Sequence, residues 1–95
     1  MDKIFKAMSD INRRKILTLL KNKEMTVSEL LKYFDIGQAT ISNHLSILKK
    51  AKLVNLRIEV KNHFYSINWV ILNRFVKELN IFVDFVNSDE IIMRR

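Results

Sequence analysis

Residues 26–50 read TVSELLKYFDIGQATISNHLSILKK, two amphipathic segments on either side of the chain's only glycine, Gly37. The first segment opens with a capping box. Thr26 can accept from the backbone N–H of Glu29, and the Glu29 carboxylate can reach back to Thr26. Leu30, Leu31 and Phe34 suit one buried face. Asp35 or Gly37 can take turn conformations that β-branched residues resist. The second segment places Ile41, Leu45 and Leu48 at i, i+4 and i+7, which is one apolar stripe of a helix. Two short helices closed by so tight a turn must pack against each other, and this limits the chain to a few small helical architectures.

The remaining side of the second helix carries Gln38, Ala39, Thr40, Ser42, Asn43 and Ser46. These side chains are short and polar. Such a face can enter a major groove without steric conflict and offer hydrogen bonds to base edges. A polar helix pair also occurs in many small all-α domains, so the rest of the chain must decide.

The charge distribution favours a polyanionic partner. The formal net charge is +7. Residues 1–67 hold 13 Lys/Arg against 6 Asp/Glu, whereas residues 68–95 hold 4 of each. All of the excess therefore lies with the helix pair and the segment after it. The chain has no cysteine, which excludes disulfides and thiolate metal sites. No apolar run is long enough to span a membrane, and the N-terminal residues do not resemble a signal peptide. Cytoplasmic localisation without membrane insertion is expected. The length suits a single domain over residues 1–95.

Before the helix pair, residues 3–8 can form a short helix with Ile4, Phe5 and Met8 on one face. Asp10 can cap a second helix through about Leu20 that buries Ile11, Ile16, Leu17 and Leu20. After the pair, the period changes. Residues 53–59 and 63–67 are rich in β-branched and aromatic side chains, which predicts a β-hairpin. Asn62 is the tip residue best suited to a left-handed conformation. Lys61 stands at the tip and Arg57 on the outgoing strand. Asn68 can cap a final helix over residues 69–86. There Leu72, Val76, Leu79, Val83 and Val86 repeat at four and three, beside a second apolar line of Ile71, Phe75, Phe82 and Phe85. A helix this apolar needs cover on two sides, and a second copy of the chain is the simplest source.

The expected fold is therefore mainly α with a small β-hairpin, in the order α-α-α-α-β-β-α. This is a winged helix-turn-helix assembled as a homodimer. The helix pair occupies about 26–51, the wing about 53–67 and the dimerisation helix about 69–87. The expected dimer contacts are Ile4, Phe5, Met8, Leu72, Phe75, Val76, Leu79, Phe82, Val83 and Val86.

Several segments resemble the ArsR/SmtB family of winged-helix repressors. They are Phe5-Lys6-Ala7-Met8-Ser9-Asp10, Arg13-Arg14-Lys15-Ile16-Leu17, Met25-Thr26-Val27-Ser28-Glu29-Leu30, Gln38-Ala39-Thr40-Ile41-Ser42-Asn43-His44-Leu45, Leu48-Lys49, Leu53-Val54 and Phe64-Tyr65-Ser66-Ile67. The likeness runs over roughly residues 4–67 in order. It implies a homodimeric repressor that places two recognition helices in successive major grooves of an inverted-repeat operator. Gln38, Ala39, Thr40, Ser42 and Asn43 would then meet base edges and nearby phosphates. His44 would be a phosphate contact or a packed ring. Lys49, Lys50, Arg57 and Lys61 would meet phosphates.

The departures from the family are informative. Members often carry Pro at the positions of Ile11 and Ala39, Ser at Gly37 and Gly at Val60. Metal-sensing members use Cys near the first helix of the pair, or Asp and His on the final helix. Residues 30–35 hold no Cys, and the only histidines are His44 and His63. The chain thus resembles the metal-independent branch, which includes autorepressors of bacteriocin-immunity operons. No cofactor or metal is expected, although an unidentified inducer or a sequestering protein fits such a regulator. Two other functions compete. A winged helix can serve as a module for protein or RNA interaction, but that use favours an apolar patch on the second helix. An enzyme is disfavoured, because Ser42 and His44 point about 200° apart on one helix.

Overall fold

The computed structural model describes residues 1–88. Five helices and one hairpin follow in the expected order: α1 (Asp2–Met8), α2 (Ile11–Leu20), α3 (Val27–Leu31), α4 (Gln38–Lys50), β1 (Val54–Glu59), β2 (Asn62–Ile67) and α5 (Trp69–Val86). α2, α3 and α5 begin where a local side-chain acceptor permits. The Asp10 carboxylate accepts from the backbone N–H groups of Asn12 at 2.7 Å and Arg13 at 3.3 Å. Thr26 and Glu29 form the full capping box, and Asn68 accepts from the N–H of Ile71.

The core lies where α2, α3, α4 and the root of the wing meet. Ile16, Leu30, Ile41, Leu45, Leu48 and Leu53 are its largest sealed side chains. Ile11 is a correction to the sequence reading, being 71% exposed. It sits in the first turn of α2, roughly opposite the arc of Ile16, Leu17 and Leu20 at 100° per residue. Gly37 is a second correction. Its φ is −77°, an ordinary value, and a Cβ there would meet open space. The turn into α4 does not require glycine.

The backbone departs from the common regions at two other places. Lys52 has φ 63° and Val60 has φ 58°. Lys52 closes α4: the N–H of Leu53 reaches back to the Leu48 carbonyl at 3.0 Å, and that of Lys52 to Lys49 at 2.9 Å. This is a Schellman-type stop with lysine where glycine is usual. Val60, rather than Asn62, makes the left-handed turn of the wing. β1 and β2 pair antiparallel from Val54 opposite Ile67 to Glu59 opposite Asn62. Met25 adds a bridge to the hairpin, exchanging backbone hydrogen bonds of 2.9 and 2.8 Å with Tyr65. The wing is thereby tied to the segment just before α3.

α5 covers the core only with its first half. Ile71 and Leu72 are partly buried against it, and Phe75 is 7% exposed. The Phe75 ring meets Phe5 of α1 edge to face, with centroids 5.1 Å apart. The sequence reading places Ile4, Met8, Leu72 and Phe75 at a seam between copies, but these residues pack within their own chain. Beyond Phe75 the helix runs past the core. Val76, Ile81, Phe82, Val83, Phe85 and Val86 are all exposed. The radius of gyration is 16.6 Å, against about 12 Å for a compact chain of this length.

Val60 is 90% exposed, so its side chain gives little packing in return for a conformation that costs an L-residue about 1–2 kcal/mol. Val60→Gly should raise unfolding free energy by about 1 kcal/mol in urea titration. A fall of similar size would show that Val60 contributes packing or order that outweighs its strain.

Candidate nucleic-acid interface

α4 is amphipathic in a particular way. Ile41, His44, Leu45 and Leu48 are buried, whereas Gln38, Ala39, Thr40, Ser42, Asn43, Ser46, Lys49 and Lys50 are exposed. At 100° per residue the buried four span one arc, and Ala39, Asn43, Ser46 and Lys50 lie along the line most directly opposed to it. That line carries no apolar side chain larger than the Ala39 methyl. Of the expected base-reading residues, Ala39 and Asn43 lie on that line with Ser46, Ser42 and Gln38 flank it on one side and Thr40 on the other, and all are exposed. Lys49 and Lys50 end the helix and favour its negative dipole end.

His44 belongs to the other side. Its ring is 8% exposed, and Nδ1 lies 3.3 Å from Nη1 of Arg13. Arg13 is always charged and only donates, so the Nδ1 it faces is the accepting nitrogen. Arg13 also donates through Nε to the Ala7 carbonyl at 2.7 Å and through Nη2 to that of Lys6 at 3.1 Å. Arg14 donates to the Met8 carbonyl at 2.6 Å. The two arginines thus cap the end of α1, and one of them links that end to α4. Of the two roles His44 was given, the packed ring matches this geometry and reach to a phosphate does not. Asp10 stands nearby. Burial alone would raise its carboxyl, but the N–H groups of Asn12 and Arg13, with the charge of Arg13, hold it below its usual value.

The wing presents its two cations differently. Lys61 is exposed at the tip. Arg57 is committed within the chain: it donates to Glu24 from Nη2 at 2.5 Å and Nε at 3.1 Å, and to Glu59 from Nη1 at 2.5 Å. Its guanidinium also sits 4.6 Å from the centroid of Phe64, its partner across the hairpin. The hydrogen bonds that Arg57 donates to Glu24 and Glu59 raise its pKa, and the bond to Glu24 holds that carboxyl below its usual 4.5. Glu24 adjoins Met25, so Arg57 fastens the hairpin alongside the Met25–Tyr65 bridge. A carboxylate held below its normal value contributes at neutral pH, and that contribution disappears as pH falls below that range. Arg57, expected at a phosphate, is thus paired with two carboxylates in the isolated chain, with 48% of its side chain exposed. Sequence reading missed this because Glu24 is 33 residues away.

The two-helix unit with a flanking hairpin defines a winged helix-turn-helix protein. The family model for bacterial regulatory proteins of the arsR family matches residues 10–55. The transcriptional repressor SdpR of Bacillus subtilis (strain 168) is 37% identical over 90 residues, covering 95% of this chain and 97% of that protein. An ArsR-like transcriptional regulator from Rhodococcus sp. RHA1 superposes with a TM-score of 0.87 at 22% identity, covering 98% of this chain and 85% of that one. That likeness concerns the fold. The homodimeric winged helix-turn-helix DNA-binding domain of Mb0332 from Mycobacterium bovis superposes with a TM-score of 0.71 at 26% identity, covering 87% and 77%. The chain belongs to the ArsR family of bacterial regulatory proteins, and it is a transcriptional regulator rather than an enzyme.

Arg57→Ala should speed amide hydrogen exchange at Met25 and Tyr65, while Lys61→Ala leaves both unchanged. Unchanged exchange in Arg57→Ala, with a salt dependence of duplex binding reduced as in Lys61→Ala, would return Arg57 to the phosphate-binding set.

Proposed function

We propose that the protein is a homodimeric repressor that binds an inverted-repeat operator in double-stranded DNA. The observation that supports this most is the division of α4 into a sealed apolar side and a small polar side. Gln38, Ala39, Thr40, Ser42 and Asn43 are the residues assigned to base edges and adjacent phosphates. Lys49, Lys50 and Lys61 are assigned to the backbone. The first turn of α4 has no side-chain cap at Gly37, so its N–H groups remain available to an anion. A module for protein or RNA contact would sooner expose apolar groups on this helix.

The dimer reading rests on the outer half of α5. Val76, Phe82, Val83 and Val86 expose an apolar surface that the described residues leave uncovered, and Leu79 lies between them. Phe5, 47% exposed, extends this surface onto α1. Two-fold pairing of such a face makes an isologous contact and sets two recognition helices in symmetry, which is what an inverted repeat matches. Regulation is proposed to be independent of metal. Among the described residues no group of three His, Cys, Asp or Glu could hold an ion. Among them no helix is long and apolar enough to cross a membrane, and the protein is placed with its DNA in the cytoplasm. An inducer or a sequestering protein would be the releasing partner.

Binding to operator and to scrambled duplex across a salt series tests the groove assignment. Asn43→Ala or Gln38→Ala should cut the ratio of specific to non-specific affinity by about tenfold or more, leaving the salt slope nearly unchanged. Lys61→Ala should weaken both duplexes alike and lower the slope by about 1 for each phosphate left unneutralised. Zn²⁺ should alter operator affinity by no more than a few-fold. The reverse pattern, or release by stoichiometric metal, would overturn the assignment.

Val83→Glu tests the seam without touching the core, since Val83 is 45% exposed in the isolated chain. Sedimentation equilibrium should show dimer for the wild type and folded monomer for the variant, because an unpaired charge is costly to desolvate. A folded wild-type monomer at micromolar concentration would contradict the dimer.

A further inference from the structure

The basic residues are not confined to the recognition helix and the wing. Lys3 and Lys6 of α1, Arg13 of α2 and Lys50 of α4 line one hollow of about 480 Å³, together with Ile47 and Ala51. Among the described residues, no acidic side chain lines it. The ion pairs among the described residues join Lys23 to Glu29 and Arg57 to Glu24 and Glu59, so none involves these cations. Four like charges around one concave surface repel one another, and an anion laid across them relieves that repulsion.

The geometry of α1 makes this a fixed surface rather than a loose fringe. Lys3 and Lys6 are three residues apart, hence on one face of the helix. The next arc of α1 holds the buried Ala7 and the partly buried Ile4 and Met8. Arg13 binds the Lys6 and Ala7 carbonyls, which locks the end of α1 and holds the guanidinium charge in place. Lys50 lies on the same exposed line of α4 as Asn43 and Ser46, so the hollow continues the groove-facing surface. On its far side α1 carries Phe5, packed on Phe75 of α5. α1 therefore stands between the recognition helix and the helix with the uncovered apolar face.

We propose that this hollow is a second phosphate-binding surface, and that Lys3 and Lys6 hold the DNA backbone of the segment between the two half-sites. The inference rests on the dimeric reading above. If α5 lies at the two-fold axis, both α1 helices fall inside the pair of recognition helices, facing the centre of the operator. The lysines contribute affinity and hold the half-sites in register, and they carry no sequence information.

The test compares wild type with a Lys3→Ala/Lys6→Ala double variant on a duplex selected by the wild type from a random pool. Both residues are exposed, so the variant should keep its fold and its sedimentation behaviour. With two fewer phosphates neutralised by each protomer, the slope of log K against log salt should fall by about 3 to 4 per dimer. The ratio of specific to random affinity should hold, and Lys3→Arg/Lys6→Arg should restore the slope. Replacing the central phosphates with neutral methylphosphonates should weaken wild type and leave the double variant nearly indifferent. Equal slopes for wild type and variant, with sequence preference intact, would overturn this inference alone. So would a methylphosphonate penalty that is the same for both proteins, or a hollow that takes free inorganic phosphate without any effect of the lysines on duplex binding. A wild type that selects no sequence would instead count against the repressor reading.

Discussion

Ile41, Leu45 and Leu48 have no exposed surface, and the other elements are arranged to keep them so. Truncating any one to alanine would cost about 2–5 kcal/mol, a large share of the 5–15 kcal/mol that holds a typical domain together. Local backbone bonds then fix the ends of the helix that carries them. The Leu53 N–H returns to the Leu48 carbonyl, and the Asn68 N–H meets the carbonyl of Leu53. The root of the wing and the start of α5 are thereby tied to the end of α4. Because the helix is anchored wholly from behind, its polar front is free to be chosen for the ligand.

That division explains what the sequence makes visible. The i, i+4, i+7 spacing of Ile41, Leu45 and Leu48 marks the sealed side. Thr26 with Glu29, Asp10 and Asn68 mark helix starts because a cap is a bond between near neighbours. Bonds between distant residues have no such signature. The Arg57 pairing with Glu24, the Met25 bridge to Tyr65 and the seat of His44 beside Arg13 all depend on how the elements fold back. Local preference also misled where tertiary structure prevailed. Val60 holds the left-handed turn that Asn62 suits better, and Lys52 holds a stop at which glycine is usual. Ile11 is apolar and exposed, since it lies on the side of α2 that faces away from the core. The four-and-three repeat of α5 was legible, but not that Leu72 and Phe75 at its start serve the core of their own chain.

The distribution of charge and apolar surface gives the molecule two working ends. Apolar surface left uncovered collects on the second half of α5, and unpaired cations collect around α4, the wing tip and α1. α1 touches both, through Phe5 on one side and Lys3 and Lys6 on the other. Arg13 and Arg14, conspicuous in the sequence as a basic pair, hold α1 in that place by binding its last carbonyls.

Selection of duplexes from a random pool, followed by the mass of the resulting complex, tests the central claim most directly. Two protomers should bind one duplex, and the enriched sequence should be an inverted repeat whose half-site centres lie a whole number of helical turns apart, about 10–10.5 base pairs each. Enrichment of a single asymmetric site held by one protomer, or no enrichment over random DNA, would contradict the account.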